Sequence, residues 1–231
     1  MSHHKIHILF KHECRDFLKQ PPLWILVLLP VLMSKMIIAV MGEGEQDMML
    51  LPSWVLFAQV MVGIMIIAPD LMEERERKTL DSLMLSPLSL GQVVFGKGAA
   101  VLVFSLFSQL AVFVVNEGVE SRLAPSLIVM LLGGTLFVLV GVVIGLVMNS
   151  VKNTTALSSA VMIVLFLTGT LYPALPDWRT ALMWLPGVIV VESLQSVLEQ
   201  SILWLQIVFL TGWLLAAAVA VGYLVRKEER R

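Results

Sequence analysis

A dense run of charge interrupts an otherwise apolar chain. Residues 73–77 read Glu-Glu-Arg-Glu-Arg, Lys78 adds a sixth charge, and long apolar stretches lie on both sides. One charged side chain at the centre of a bilayer costs about 2.5–3.5 kcal/mol. The run must therefore lie in water between two membrane spans, where a soluble protein could bind it.

The segment after the charged run has the pattern of an amphipathic helix. Leu80, Leu83 and Met84 repeat at i, i+3 and i+4, and Pro87 ends the helical pattern. A segment with a charged half and an apolar face could dock in a groove on a soluble protein. The alternative is a solvated loop whose charges only fix the topology, and the spacing alone leaves both open.

Residue types that would indicate catalysis or a bound cofactor are sparse. The sequence has no G-x-x-x-x-G-K-[ST] phosphate-binding loop, so we expect no ATPase site and no cofactor on this chain. No histidine or lysine is evidently paired with the serines inside the spans, as a hydrolase would need. All four histidines precede the first span, and we predict no metal site: His3, His4, His7 and His12.

Three polar side chains inside predicted spans are candidates for a substrate path: Lys35, Gln59 and Gln109. The alternative for Lys35 is a side chain that extends to the outer membrane interface. The alternative for the two glutamines is hydrogen bonding between helices. Gly141 and Gly145 form a G-x-x-x-G pattern, which predicts close helix packing.

The composition is that of an integral membrane protein. Hydrophobic residues make up 58% and charged residues 14%, against ~45–50% and ~25% in globular proteins. The sequence contains no basic patch with interleaved aromatic residues, so nothing in it predicts a nucleic-acid interface. A bilayer core of ~30 Å needs about 20 apolar residues per helix. The runs predict an all-α domain (21–231) with six transmembrane helices at residues 22–41, 53–70, 98–116, 125–148, 155–172 and 202–225.

The first 20 residues have an amphipathic pattern that ends at Pro21-Pro22. Its predicted apolar face is formed by Ile6, Leu9, Phe10, Cys14, Phe17 and Leu18. They predict a helix at the cytoplasmic membrane surface, and the alternative is a merely basic flank. We expect no cleavable signal peptide, because the first apolar run follows a polar start.

The basic residues predict the orientation. Thirteen of the sixteen lysines and arginines fall on one side of the six-span topology. Cytoplasmic loops carry the excess of basic residues, so we predict a multi-pass protein of the cytoplasmic (inner) membrane with both termini in the cytoplasm. Residues 71–96 are then a cytoplasmic connection. Residues 173–201 are an outer segment, in which we expect two re-entrant or interfacial helices; alternatively, Val188–Leu198 extends the last span.

With these residues laid out, the chain resembles the membrane subunit of ATP-binding-cassette type-2 exporters. The specific match is the run Glu73–Leu90 followed by Gly96-Lys97. That family shows a similar acidic and basic run, then Thr-Leu-Glu, a leucine-rich turn, Ser-Pro and a later lysine. This chain departs from it with Lys78 in place of a frequent glycine and Asp81 in place of the usual glutamate. Weaker matches are residues 149–155 and the proline-rich segment 172–187.

The resemblance implies an exporter permease without an ATPase site of its own. Separate ABC ATPase subunits would bind ATP and Mg²⁺, and a second copy or a paralogue would complete the pathway in the lipid bilayer. The segment Glu73–Leu85 would be the coupling helix. The short tail Arg226–Arg231 implies no fused nucleotide-binding domain. The residues implied to contact the ATPase are Glu73, Glu74, Arg75, Glu76, Arg77, Thr79, Leu80, Leu83 and Met84.

Other functions stay open at this point. The related haem-exporter permease of cytochrome c maturation shares the leucine-rich turn but usually lacks a basic tail like Arg226–Arg231. A membrane-embedded enzyme acting on lipid or peptide would need a polar catalytic pair at one membrane depth, and none is evident. A structural or immunity membrane protein would be distinguished only by its partners.

Overall fold

The computed structural model describes residues 2–41, 45–77, 89–119, 121–201 and 204–230. Within these ranges the chain is helical and contains no β-strand, which confirms the predicted all-α fold. Single 3-10 turns at Tyr172–Ala174 and Pro176–Trp178 precede α7. The helices are α1 (Ser2–Leu18), α2 (Pro21–Met41), α3 (Glu45–Glu76), α4 (Leu90–Glu117), α5 (Leu123–Val147), α6 (Val151–Leu171), α7 (Arg179–Leu182), α8 (Pro186–Leu198) and α9 (Trp204–Glu229).

Five helical segments in the described ranges are long and apolar enough to cross a bilayer: Leu50–Glu76, Leu90–Glu117, Leu123–Val147, Val151–Ala174 and Trp204–Glu229. Two sharply bent pairs would raise that number to seven if each pair is one span. One pair joins α1 to α2 at 78°, and the other joins Pro176–Leu182 to α8 at 109°. The number of six spans and the placement of the termini therefore stay predictions.

Helix α3 lies at the centre of the fold. In its most apolar membrane-length window 83% of the residues are buried, against 17% in α6 and 6% in α9. Helix α3 packs most extensively against α5 and also contacts α4, α6, α2 and α8. Because α3 contacts five other helices, a displacement of α3 would also displace most of the bundle.

Glycines set the close approach of α5 to α3. A Cβ added at Gly145 would lie 2.8 Å from the backbone oxygen of Ala68, and one added at Gly141 would lie 2.9 Å from the backbone oxygen of Gly63. A backbone oxygen cannot rotate away as a side chain can. The G-x-x-x-G pair of α5 thus lies at the crossing with α3.

We expect Gly145→Ala to destabilise the protein by about 1–3 kcal/mol, because the added methyl overpacks this crossing. Gly212→Ala on α9 is the matched control, since an added Cβ there meets no atom within 4 Å. The control should be neutral or stabilising by up to about 1 kcal/mol, because alanine favours helix more than glycine does. The apparent Tm in detergent measures both, and equal Tm values would contradict the packing interpretation.

Helix α1 packs against α4 within the chain. The rings of Phe17 and Phe104 lie 5.2 Å apart, and a Cβ added at Gly96 would lie 2.9 Å from Leu9 Cδ2. Four of the predicted apolar-face residues join the core: Leu9, Phe10, Cys14 and Phe17. Leu18 instead is 56% exposed. The predicted amphipathic face therefore covers α4, and its location at a membrane surface stays a prediction.

Short helices also form in the segment 173–201. Val188 and Val190 of α8 are fully buried, and α8 contacts α6, α3, α9 and α5. The side chain of Arg179 donates a hydrogen bond to the Tyr172 hydroxyl at 3.2 Å. The re-entrant or interfacial placement of this segment stays a prediction.

Candidate functional site

A buried lysine joins three helices at the end of α3. The Nζ atom of Lys97 on α4 lies 2.8 Å from an Asp70 carboxylate oxygen, 3.0 Å from Glu74 and 3.0 Å from Glu13. Asp70 and Glu74 belong to α3 and Glu13 to α1. The Lys97 side chain is only 3% exposed, so each of its three N–H donors faces one carboxylate.

The helices explain this cluster, which we call the Lys97 cluster (Glu13, Asp70, Glu74 and Lys97). Asp70 and Glu74 are four residues apart and so share one face of α3. The close packing of Leu9 on Gly96 brings the following turn of α1 beside α4. A lysine this deeply buried is tolerated only when it is paired. The carboxylates thus explain why a charge occupies the interior of an apolar helix pair.

Arg75 binds the exposed backbone end of α5. Its guanidinium donates hydrogen bonds to the backbone oxygens of Gly145, Leu146 and Met148 at 2.9–3.2 Å. Gly145 and Leu146 lie in the last turn of α5 and Met148 is its C-cap, where helix geometry leaves oxygens without a partner. The same guanidinium bonds Glu228 on α9 at 2.9 Å. A cation at a helix C-terminus also complements the helix dipole.

Glu76 binds the start of α6. Its carboxylate accepts a hydrogen bond from the backbone N–H of Val151 at 2.8 Å. Ser150 is the N-cap of the same helix, and its hydroxyl accepts from the backbone N–H of Asn153. The first N–H groups of a helix have no internal acceptor, and an acidic side chain there is favourable. Arg75 and Glu76 thus hold the two helices on either side of the turn at residues 148–150.

Three successive residues of α3 therefore reach different neighbours. Glu74 bonds Lys97 on α4, Arg75 bonds α5 and α9, and Glu76 bonds α6. Successive residues on a helix point about 100° apart, so adjacent side chains diverge. We call Glu74, Arg75 and Glu76 the hub residues. They fix the end of α3 to four other helices, with α1 joined through Lys97.

The remaining residues of the predicted ATPase interface divide into two groups. Glu73 and Arg77 form an ion pair one turn apart on the outer surface of α3, with side chains 49% and 70% exposed. Thr79, Leu80, Leu83 and Met84 lie outside the described residues. Within this set, Glu73 and Arg77 are available to a partner, whereas the hub residues face their own chain. The contact of all nine residues with an ATPase stays a prediction.

The polar residues predicted for a substrate path lie in two places. Gln59 Nε2 donates to Gln109 Oε1 at 2.9 Å, and Gln109 Nε2 donates to the Ser105 hydroxyl at 3.0 Å. Both glutamines are fully buried between α3 and α4. Lys35 instead is exposed, and its Nζ lies 3.5 Å from the backbone oxygen of Val115. The structure brings the two glutamines together but not Lys35, and their role in transport stays a prediction.

Sequence reasoning missed Glu13 and Asp70 as partners of Lys97, and Glu228 as the partner of Arg75. Lys97 was noted only as part of a family pattern. One signal was available: α4 begins at Leu90, so Lys97 lies two turns inside a long apolar helix. A lysine at such a depth requires a carboxylate partner.

The fold and this site define a multi-pass membrane protein whose central helix is tied to its neighbours by charged side chains at one end. A family model for ABC-2 type transporters matches residues 4–198. The chain therefore belongs to the ABC-2 type transporter family and is a permease subunit of an ABC transporter, as the resemblance predicted. Membership implies association with ABC ATPase subunits. A search of curated proteins finds no match to the chain.

Proposed function

We propose that this permease exports its substrate from the cytoplasm, with the charged end of α3 on the cytoplasmic side of the cell membrane. Two copies, or this chain and a paralogue, enclose the pathway. Separate ATPase subunits bind ATP and Mg²⁺ and dock on the segment Glu73–Leu85. When the ATPase subunits close on each other, they displace the end of α3, and the helices bonded to that end move with it.

The observation that carries this proposal is the position of the hub residues. Glu74, Arg75 and Glu76 lie at the start of the predicted docking segment Glu73–Leu85. Each hub residue bonds a different neighbouring helix. A partner that displaced the docking segment would therefore pull on α4, α5, α6 and α9 together.

The physical basis is a two-state equilibrium biased from outside the membrane. ATPase subunits shift such an equilibrium only if they bind the two arrangements with different affinity. Because the hub residues connect the docking segment rigidly to the helices, a preference of the ATPase subunits for one position of that segment becomes a preference for one arrangement of the helices. Flexible connections would dissipate it, because the docking segment would move while the helices stayed in place.

Different residues would supply the affinity and the orientation of docking. Glu73 and Arg77 are exposed, so their ion pairs with a partner are each worth about 0–1 kcal/mol. The apolar face of Leu80, Leu83 and Met84 should contribute more, since buried apolar anchors dominate interface energies. The proposal therefore assigns orientation to the charges and affinity to the apolar face.

We expect Leu83→Asp to reduce co-purification of the co-expressed ATPase subunit by about tenfold or more, because it places a charge in the apolar contact. Membrane insertion should be unchanged, since the residue lies in the predicted aqueous connection. The measurement is the molar ratio of ATPase to permease after affinity purification from membranes.

Ser82→Asp is the matched control for this experiment. It adds the same charge one residue earlier, off the face formed by Leu80, Leu83 and Met84, and should retain the ATPase. Equal ratios for wild type, Ser82→Asp and Leu83→Asp would contradict docking on this face. So would a purified wild-type complex that captures no ATPase subunit.

A further inference from the structure

An apolar cleft of about 420 Å³ opens between α4, α5 and α9. Its walls include Gly91 and Leu102 of α4, Val142 of α5, and Gly222 and Val225 of α9. The volume falls within the ~300–1,000 Å³ of ligand pockets. We propose that this cleft binds an acyl chain of an anionic phospholipid, whose phosphate lies beside Arg226.

The chemistry of the walls selects an apolar occupant. Among the described residues that line the cleft none is charged, and the one with a hydroxyl, Thr135, already donates to the backbone oxygen of Leu131 at 2.7 Å. A polar cargo would find no hydrogen-bond partner there, and burying its polar groups unpaired would be costly. A hydrocarbon chain has no polar groups and therefore needs no hydrogen-bond partner in the cleft.

The length of the cleft matches one leaflet. Its wall on α4 runs from Gly91 to Leu102, a rise of about 16 Å at ~1.5 Å per residue. Half of a ~30 Å hydrocarbon core is about 15 Å. All three helices that form the cleft are apolar enough to cross a bilayer. The cleft therefore covers the depth of one acyl chain that starts from the charged end of the bundle.

Charge at the mouth of the cleft selects an anionic headgroup. A Cβ added at Gly91 would lie 3.6 Å from Val225, so the start of α4 and the end of α9 meet there. Arg226 follows Val225 directly and lies four residues after Gly222, on the same side of α9. Three cations near this end form no ion pair within the described residues: Arg226, Lys227 and Arg230. They outnumber Glu229, and Glu228 is engaged by Arg75.

A second groove, which carries a few polar side chains, adjoins this mouth. It shares Gly91, Phe95 and Ala99 with the cleft and adds the side chains of His7, Ser89 and Gln92. A phosphate beside Arg226 would thus have room for the rest of its headgroup along the start of α4.

The test measures phospholipid that co-purifies with the protein, by native mass spectrometry after exposure to phosphatidylglycerol or phosphatidylcholine with identical acyl chains. Gly222→Leu fills the cleft, and Gly212→Leu is the matched control on the same helix. A Cβ added at either position meets no atom within 4 Å, and Gly212 does not line the cleft. Thr135→Leu fills the cleft from α5 and provides a second variant should Gly222→Leu fold poorly.

We expect bound phosphatidylglycerol to fall by about tenfold in Gly222→Leu and Thr135→Leu, because excluding a few methylenes suffices for such a loss. Gly212→Leu should bind as wild type does. Arg226→Gln should remove the preference for phosphatidylglycerol, whereas Lys227→Gln, on another side of α9, should keep it.

Three outcomes would overturn the proposal. Equal lipid binding by Gly222→Leu and Gly212→Leu would show that the cleft holds no lipid. Equal binding of the two phospholipids by wild type would contradict the selection of an anionic headgroup. Dissociation of a dimer by Gly222→Leu, with lipid unchanged, would assign the cleft to a second copy of the chain.

Discussion

Lys97→Met should destabilise the protein by about 3 kcal/mol. Removing one partner of a buried ion pair costs about 3–5 kcal/mol, because the other charge stays buried without compensation. Here three carboxylates lose a shared cation, and they also repel one another. The lower end of the range applies because the Asp70 side chain is 36% exposed. The apparent Tm in detergent measures the effect.

A compensated variant separates charge from packing. Lys97→Met combined with Glu13→Gln, Asp70→Asn and Glu74→Gln should recover most of the lost stability, because it also removes the carboxylate charges that the single substitution leaves uncompensated. Lys11→Met, on the exposed side of α1, should leave the Tm unchanged. If the single and the fourfold variant were equally destabilised, the loss would come from packing around the methionine, and the electrostatic account would be wrong.

Arg75→Gln should uncouple the bundle from its ATPase subunits and destabilise the protein by about 2–3 kcal/mol. The change removes the charged donor to three carbonyls of α5 and the ion pair with Glu228. Hydrogen bonds to charged groups are worth about 1.5–3 kcal/mol, and glutamine has one amide and a shorter reach. Movement of α3 would then no longer be transmitted to α5 and α9.

The readout is an ATP-dependent change in cysteine accessibility on α6. Ser159→Cys in a Cys14→Ala background places one thiol at a half-buried position of that helix. In the complex, ATP should change the alkylation rate of this thiol when residue 75 is arginine, and should not when it is glutamine. The ATPase should remain bound in both.

Arg77→Gln is the matched control, two residues away and directly after the end of α3. Arg77 is 70% exposed and, among the described residues, forms an ion pair with Glu73 alone, so its loss should cost about 0.5 kcal/mol or less. Its ATP response should persist. An ATP response that survives Arg75→Gln, or that is lost equally in both variants, would show that the hub does not transmit the motion.

Local pattern was enough to predict the family and the helical fold. Apolar runs of membrane length predict helices, because in lipid a helix makes all its backbone hydrogen bonds internally. The charged run Glu73–Arg77 with its leucine-rich continuation is specific enough to indicate the ABC-2 type. The Gly141 and Gly145 spacing indicated close packing, though not which helix would pack there. These features depend on residues near one another in the chain, so the sequence contains them directly.

The sequence could not predict which way each charged side chain points or which helix it bonds. From composition, Glu73 to Arg77 read as one solvated segment. In the structure Glu73 and Arg77 pair with each other at the surface, whereas Glu74, Arg75 and the exposed Glu76 bond different helices. Their partners are distant in sequence: Arg75 bonds Glu228 across 153 positions. Which helix lies on which side of α3 is decided by packing of the whole bundle.

The amino-acid order alone thus determined what the chain is made of: apolar helices of membrane length, and a charged segment between two of them that must stay in water. Tertiary structure alone decided that three of those charged side chains, on Glu74, Arg75 and Glu76, bond other helices of the same chain. The physical reason is that a helix rotates its side chains by about 100° per residue. Neighbours in sequence therefore meet different surroundings, and only the packed neighbours define what those surroundings are.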